Sequence, residues 1–545
     1  MLKKISLITI LVLALYLRII NIATVPPGIY LDEASIAYDS YSLGLNLHDQ
    51  YGKFLPLFIR SYASFQAPLY IYASILPIKV FGMSPLGVRF ISIVSGTLIV
   101  FFSYLLIRII SPEKWKNAAI FSAAVLAISP WAIFFSRGAI EANLALALFI
   151  ASLYLIFNGI KNNKGSILNI GFITLALTNY AYHSYRFLSI ITVLALLTFF
   201  FKLLKKRLFI PTVIGIILFA VILLPQLFLI NTPGSLTRAT ALDYTSDSYF
   251  KENSGTLCCS LPGKITFISR TFFAKYFDYI SLNSLFFDSD PSPVRSIPEL
   301  GSFYSWMLFP FLLGLFIVTR EYYRKSLRAG VNFFMTIGLF SIVPAAFTRD
   351  DLYFLRVLPF LWLVSILAGF GLLAIFKRIN SNLLKLGFAT FLLTISLLNL
   401  YTNYFYIFKE ERSVEQSGLL QQLFIYTRSN PDKHFIIDLT EPLSYGIGLY
   451  VYKTDPKEFS RQANLKMMEY YTDTSLKTNY SIGNTDIRAI NWGVDNCQGN
   501  YLVGDERTIS EERISSNHLL LVRKFVAVLD TRFIGVYRSE CKKPL

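Results

Sequence analysis

The chain has 545 residues, of which 54% are hydrophobic, 16% aromatic and only 16% charged, and its mean hydropathy is +0.51. A soluble globular chain carries about 25% charged residues, so this composition excludes an ordinary soluble protein; apolar runs of about bilayer length account for the deficit. The formal net charge of +17 fits either a nucleic-acid binder or the positive-inside bias of a membrane protein, and the positions of the charges decide between them.

The first apolar run, Ile5 to Ala23, follows Lys3 and Lys4. It lacks a convincing small-residue cleavage site and precedes many further runs, so it reads as a retained helix rather than a signal peptide. Eleven spanning helices are expected, at 5–24, 86–110, 117–135, 139–160, 166–183, 186–203, 208–230, 302–319, 330–348, 352–376 and 383–407. Each is long enough, or nearly so, to cross about 30 Å of hydrocarbon at about 1.5 Å per residue. The run from Pro68 to Phe81 is shorter, contains Pro77 and Lys79, and ends at Gly82. Its length suits an interfacial or re-entrant helix.

With the N-terminus in the cytoplasm and 68–82 uncrossed, every inner loop is short and basic. These loops hold 18 Lys and Arg, among them Arg108, Lys114, Lys116, Lys205, Arg328 and Lys377, against two acids, Glu113 and Glu321. Counting 68–82 as a crossing would invert every loop downstream. The charge therefore reads as membrane orientation and not as a nucleic-acid surface.

Three outer segments are substantial: 25–85, 231–301 with a Pro-rich stretch at Asp290-Pro-Ser-Pro, and the tail 409–545. The tail loses the long apolar runs and holds strand-like stretches at His434-Phe-Ile-Ile-Asp, Tyr501-Leu-Val and Phe525-Val-Ala-Val-Leu. It reads as a small extracytoplasmic α/β domain with its own core. The expected organisation is thus a polytopic α-helical membrane domain, 1–408, followed by a soluble domain, 409–545. All four cysteines fall outside. Cys497 and Cys541 would be available to pair in an oxidising compartment or to stay free. No CxxC pair or HExxH occurs, so nothing reads as a structural zinc site.

Polar side chains gather at the outer ends of the helices. Asp32 and Glu33 follow the first helix and precede a short amphipathic helix, 34–45. They read either as a helix cap or as a general base for a hydroxyl held at the interface. Arg137 and Glu141 are four apart and would share a helix face. They read as a local ion pair, or as a cation for an anionic ligand beside a second acid. Asn179-Tyr-Ala-Tyr-His183-Ser-Tyr-Arg186 is either an aromatic belt with a snorkelling Arg or part of a site. In Arg349-Asp-Asp-Leu-Tyr-Phe-Leu-Arg356, Asp350 or Asp351 is placed to cap helix ten. Arg356 falls about a turn and a half inside it, where a buried cation needs a partner such as a lipid phosphate. Arg18 and Arg89 read as structural, and His48 and His434 carry no signal.

Taken together these residues resemble the C-type membrane glycosyltransferases. The resemblance rests on Pro26-x-x-x-x-x-Asp32-Glu33, on Phe65-Gln66-Ala-Pro-Leu-Tyr70-Ile-Tyr, on Phe81-Gly-x-x-x-x-Gly-Val-Arg89 and on Ser136-Arg-Gly-Ala-Ile-Glu141. The chain is most similar to the branch of protein O-mannosyltransferases and aminoarabinose–lipid A transferases, well over 5–230 and in architecture beyond.

The resemblance implies transfer of a sugar from a polyprenyl-phosphate donor to an acceptor hydroxyl on a protein, glycolipid or cell-wall glycan at the outer membrane face. It implies Asp32 as general base, Glu33 orienting the base or acceptor, and Glu141 in the place of a second family acid that is usually Asp. His183, Gln66 and Tyr70 are further candidates. Gln66 stands where the family often has an acid or His able to bind metal, so no cofactor is required and a divalent metal is left open. An oxocarbenium-like transition state is favoured by nearby carboxylates. A leaving phosphate is favoured by cations, for which Arg137, Arg186 and Arg356 are the candidates. One base and one displacement give inversion. The rival reading is a transporter or lipid flippase, which usually shows repeated halves and midplane charges; neither is visible in the sequence.

Overall fold

The computed structural model describes residues 2–62, 64–228, 244, 247–253, 260–288, 290–323, 328–440, 444–462, 479–496, 498–526 and 532–539. Cys258, Cys259, Cys497 and Cys541, and with them the question of a Cys497–Cys541 disulfide, lie outside the described residues. The chain divides into two compact units, Met1–Ile20 with Ile91–Tyr404 and Asn21–Phe90 with Phe405–Leu545.

The first unit is helical. Each of the eleven expected ranges overlaps a helix, residues 229 and 230 lying outside the described ones, but length and composition reduce the number of candidate spans. Among the described residues seven helices suffice to cross a membrane, or eight if one bent pair counts as a single span. Gly165–Ala181 has 17 residues and Leu308–Tyr322 has 15, short of the roughly 20 that a crossing takes. The first apolar helix covers Ser6–Ile19, and Pro68–Phe81 is likewise a short apolar helix.

The bent pair is Glu113–Ile128 with Pro130–Arg137, at 55°. Pro130 has no N–H for the carbonyl of Leu126, so the helix must break there. Arg18, fully buried, supplies the missing donors: it reaches Leu126 O at 3.3 Å and Ala127 O at 3.2 Å. It also donates to Ala14 O at 2.9 Å, Ala132 O at 3.3 Å and Ser136 Oγ at 3.2 Å. A buried cation is tolerated here because backbone oxygens surround it.

Elsewhere the helices meet through small residues, as apolar helices in lipid do. Leu308–Tyr322 and Leu358–Arg378 are so close that a Cβ on Gly314 would stand 1.8 Å from Leu367 O. A Cβ on Gly371 would stand 1.8 Å from Pro310 O.

The second unit combines the segment after the first helix with the tail, a grouping that the sequence did not reveal. Helix Leu31–Asn46 is followed by a hairpin of β1 (Ile59–Ser61) and β2 (Ser64–Gln66), then by helix Pro68–Phe81. The tail holds β3 (Phe435–Asp438), β4 (Tyr480–Ile482), β5 (Thr485–Ile487), β6 (Tyr501–Gly504), β7 (Leu519–Val526) and β8 (Phe533–Ser539). They form one six-stranded sheet in the order β4-β5-β3-β6-β8-β7. β3 is central and parallel to both β5 and β6, which explains its continuous apolar run. Ile436, Leu502, Ile509 and Tyr537 make its core.

Several contacts join the early segment to the tail, two of them at Tyr38 and Gly28. Tyr38 donates from its hydroxyl to Thr454 O at 3.2 Å, and Gly28, at φ +103°, lies so near Gln416 that a Cβ would come within 2.6 Å of its carbonyl oxygen. Only glycine fits that position.

Candidate functional site

In the second unit, Asp32 and Glu33 occupy the first turn of helix Leu31–Asn46, after the N-cap residue Tyr30. Carboxylates are favoured there by the free backbone N–H groups and the helix dipole. The two carboxylates differ sharply. Asp32 is exposed, whereas Glu33 is buried. Glu33 accepts from Arg89 through both oxygens, Nε to Oε1 at 2.9 Å and Nη2 to Oε2 at 2.8 Å, and it accepts the Tyr30 backbone N–H at 3.1 Å.

Arg89 is itself fully buried and donates to Ile22 O at 2.9 Å, Pro26 O at 3.4 Å and Gly28 O at 2.6 Å. One guanidinium therefore fixes the 22–28 strap and the start of the helix that carries Asp32. Of the two readings of the pair, Glu33 fulfils the cap. Tyr62 donates to Leu31 O at 2.8 Å. Burial first, and the Asp32 charge next, hold the Tyr62 phenol well above its usual pKa, so it is protonated.

Gln66 lies in β2 and is 1% exposed. Tyr70 is fully buried and spends its hydroxyl on Val88 O at 3.1 Å, a scaffold contact. Beneath the hairpin lies a polar network that the sequence reading missed. Asp39 is fully buried and accepts Gln50 N at 3.1 Å, Gln50 Nε2 at 3.1 Å and Ser35 Oγ at 3.4 Å. Burial, with the nearby Asp49 charge, raises its carboxyl well above the carboxylate range. Asp49 is pushed up to about 6 by burial. The signal in the sequence was Ser35 and Asp39 one helical turn apart.

In the first unit, Arg137 and Glu141 do not share a helix face, contrary to expectation. Arg137 ends helix Pro130–Arg137, Gly138 is extended at φ −104° and ψ 165°, and Glu141 begins helix Glu141–Asn162. Gly138 ends the helix, so the i,i+4 geometry is lost. Arg137 is fully buried, donates to Leu17 O at 2.9 Å and lies over the Tyr404 ring at 5.5 Å. The connecting loop is tied to Ser92: Ile140 N donates to its Oγ at 3.0 Å and Asn143 Nδ2 to its carbonyl at 2.9 Å. His183 lies in the turn before helix Tyr185–Arg207 and Arg186 in that helix's first turn, with Arg186 N donating to His183 O at 3.1 Å.

Arg356 also departs from expectation. It lies in a 3-10 turn, Phe354–Val357, ahead of helix Leu358–Arg378, because Pro359 opens that helix. Its surroundings are polar. It pairs with Asp350 at 2.7 Å, bonds Thr348 Oγ1 and lies 4.3 Å from the Tyr353 ring centroid. Asp350 and Asp351 therefore pair with cations rather than cap a helix.

Two cations join Arg356 that the sequence reading passed over. Arg295 stands 3.7 Å from the Tyr353 centroid and pairs with Asp290 at 3.4 Å. Lys275 donates to Arg349 O at 2.9 Å and Asp350 O at 2.8 Å. Burial raises the Asp290 carboxyl against the pull of Arg295. Two arginines thus lie over the Tyr353 ring, and with Lys275 they pair with Asp290, Asp350 and Asp351. The Pro-rich stretch before Arg295 was the available signal.

Among the described residues, no group of three or more His, Cys, Asp or Glu side chains converges as a metal ligand set would, and Glu33 is committed to Arg89.

No family model matches the sequence, and no curated protein matches it. Solved structures do. ArnT from Cupriavidus metallidurans bound to undecaprenyl phosphate is similar with a TM-score of 0.55 at 12% identity, over 97% of this chain and 97% of that one. Its apo form gives 0.52 at 11% identity over 98% of each. The Archaeoglobus fulgidus oligosaccharyltransferase AglB, in complex with an inhibitory peptide and a dolichol-phosphate, gives 0.50 at 13% identity over 92% of this chain and 69% of that one. The likeness spans both units and includes the helical and the sheet-bearing parts. The chain is an integral membrane protein with the C-type glycosyltransferase fold.

Proposed function

We propose that the protein transfers a sugar from a polyprenyl-phosphate donor to an acceptor hydroxyl at the extracytoplasmic face of the membrane. Asp32 is the general base. It takes the acceptor proton as the acceptor oxygen attacks the anomeric carbon. The bond from that carbon to the phosphate oxygen breaks, and the electron pair leaves with polyprenyl phosphate. A single displacement inverts the anomeric centre.

The observation that carries the reading is the contrast within one turn of helix: Glu33 locked to Arg89 and Asp32 left exposed on a rigid base. A carboxylate so held needs no reorganisation to receive a proton. Charge growing on the leaving phosphate would be met by Arg356 and Arg295, the phosphate replacing Asp350 as their anion, and by Lys275, whose present carboxylate partner is Asp351. Arg186 is a further candidate, while Arg137 acts from its buried position as a positioning residue. Glu141 serves as the second acid, and His183 and Gln66 as contacts to sugar or acceptor. The 409–545 region and residues 231–301 select the acceptor, a protein, glycolipid or cell-wall glycan. The N-terminus is cytoplasmic.

Asp32→Asn should lower transfer from a labelled polyprenyl-phosphate sugar by about 10²- to 10⁴-fold while expression and thermal stability stay unchanged. Near-normal turnover in that variant would remove the base assignment.

A further inference from the structure

Away from the residues discussed so far, the first unit encloses a cavity of about 170 Å³. It lies where helices Pro85–Ile110, Leu308–Tyr322, Arg328–Ala346 and Leu358–Arg378 meet the loop that carries Trp115. Its walls are mostly apolar, Ile107, Phe334, Met335, Trp362 and Phe370 among them, with Ser111 and the buried Glu321 the polar exceptions. The indole N–H of Trp362 is already spent on Ser103 Oγ at 2.8 Å, so that ring offers the cavity only carbon. An apolar cavity of this size stays dry and accepts hydrocarbon. At membrane depth the hydrocarbon at hand is a lipid chain.

The mouth is chemically different. The Trp115 ring lines the cavity and carries two ammonium groups, Lys114 at 5.1 Å and Lys377 at 4.7 Å from its centroid. Lys377 also donates to Lys114 O at 2.9 Å, which ties the last turn of helix Leu358–Arg378 to the loop that carries Trp115. Lys377 is exposed, and the Lys114 side chain is 58% exposed although Glu321 stands 3.6 Å away. Lys116 lies in that same loop, and Arg378 ends the same helix. A tryptophan with basic side chains above it and an apolar slot beneath it matches a lipid headgroup and tail in that order.

We propose that this cavity holds one acyl chain of an anionic phospholipid, whose phosphate rests on Lys114 and Lys377. The lipid wedges between four helices at the basic end of the bundle and completes their packing. The proposal rests on the membrane fold and is independent of the glycosyl-transfer reading.

The test uses the full-length protein in nanodiscs of phosphatidylglycerol or phosphatidylcholine, followed by native mass spectrometry of the released complex. Wild type should retain one phosphatidylglycerol per chain and lose it only at high activation energy. Gly330 lines the cavity, and a Cβ there meets nothing within 4 Å, so Gly330→Phe fills the space without a backbone clash and should abolish retention. Lys114→Gln with Lys377→Gln should weaken it about thirtyfold while leaving thermal stability in detergent near wild type. Equal retention in wild type and both variants would overturn the proposal. So would equal preference for phosphatidylcholine, or recovery of a polyprenyl phosphate instead.

Discussion

Replacing Arg89 by Met keeps most of the volume and removes the guanidinium. The structure sets the size of the effect. Glu33 loses both of its Arg89 hydrogen bonds and remains buried at 3% exposure, and the carbonyls of Ile22, Pro26 and Gly28 lose a donor. Stranding one member of a buried ion pair costs about 3–5 kcal/mol. Spread over a unit of this size, that lowers the melting temperature by roughly 10 °C. Because the same guanidinium fixes the helix start beneath Asp32, transfer activity should fall with it. The assay is thermal unfolding in detergent of Arg89→Met, Glu33→Gln and the double variant, with turnover measured below each melting point. The double variant removes the stranded charge, so it should be more stable than Arg89→Met by about 2 kcal/mol or more. If the two single losses simply add, the clamp is not the coupled pair described here and the support for Asp32 must come from elsewhere.

Arg18→Met should destabilise the bent span by about 3 kcal/mol, since the carbonyls of Leu126 and Ala127 lose their donor at the Pro130 break; chemical unfolding in mixed micelles reads this, and an unchanged midpoint would refute it. Asp49 has a folded pKa of about 6, raised by burial. Its contribution is therefore full below about pH 4 and is lost as pH rises through 6. Asp49→Asn keeps an acceptor for the Tyr51 and Lys53 backbone N–H groups, and should raise stability at pH 7 by up to about 3 kcal/mol and flatten the melting profile between pH 4 and 6.5. A profile unchanged by the substitution would contradict the assignment. Arg356→Ala and Arg295→Ala should each raise the KM for donor about tenfold or more, and unchanged donor affinity would count against the cation cluster as the phosphate site.

The membrane character, the helix positions and the α/β tail were legible because they rest on run length and on periodicity. Glu33 as a cap was equally legible from its place before an amphipathic run. What stayed hidden was long-range pairing. Nothing local shows that Arg89 reaches back to Glu33, or that Arg18 satisfies a helix broken at Pro130, because the partners lie 56 and more than 100 residues away. Arg356 was placed inside its helix because the apolar run is continuous through it, while Pro359 decides where the helix starts. Arg137 and Glu141 fit a helical spacing that one glycine interrupts. The grouping of residues 21–90 with the tail depends on contacts such as Tyr38 with Thr454 and Gly28 with Gln416, for which composition gives no hint.

The most direct test of the account is mass spectrometry of polyprenyl-phosphate sugars and envelope glycans in cells that lack this protein, complemented with wild type or with Asp32→Asn. One sugar should disappear from an envelope glycan, glycolipid or glycoprotein in the deletion while its polyprenyl-phosphate form accumulates. Wild type should restore the pattern and Asp32→Asn should not. Glycans and carrier lipids that are identical in all three strains, or full restoration by Asp32→Asn, would contradict the claim that this carboxylate drives sugar transfer from a lipid phosphate.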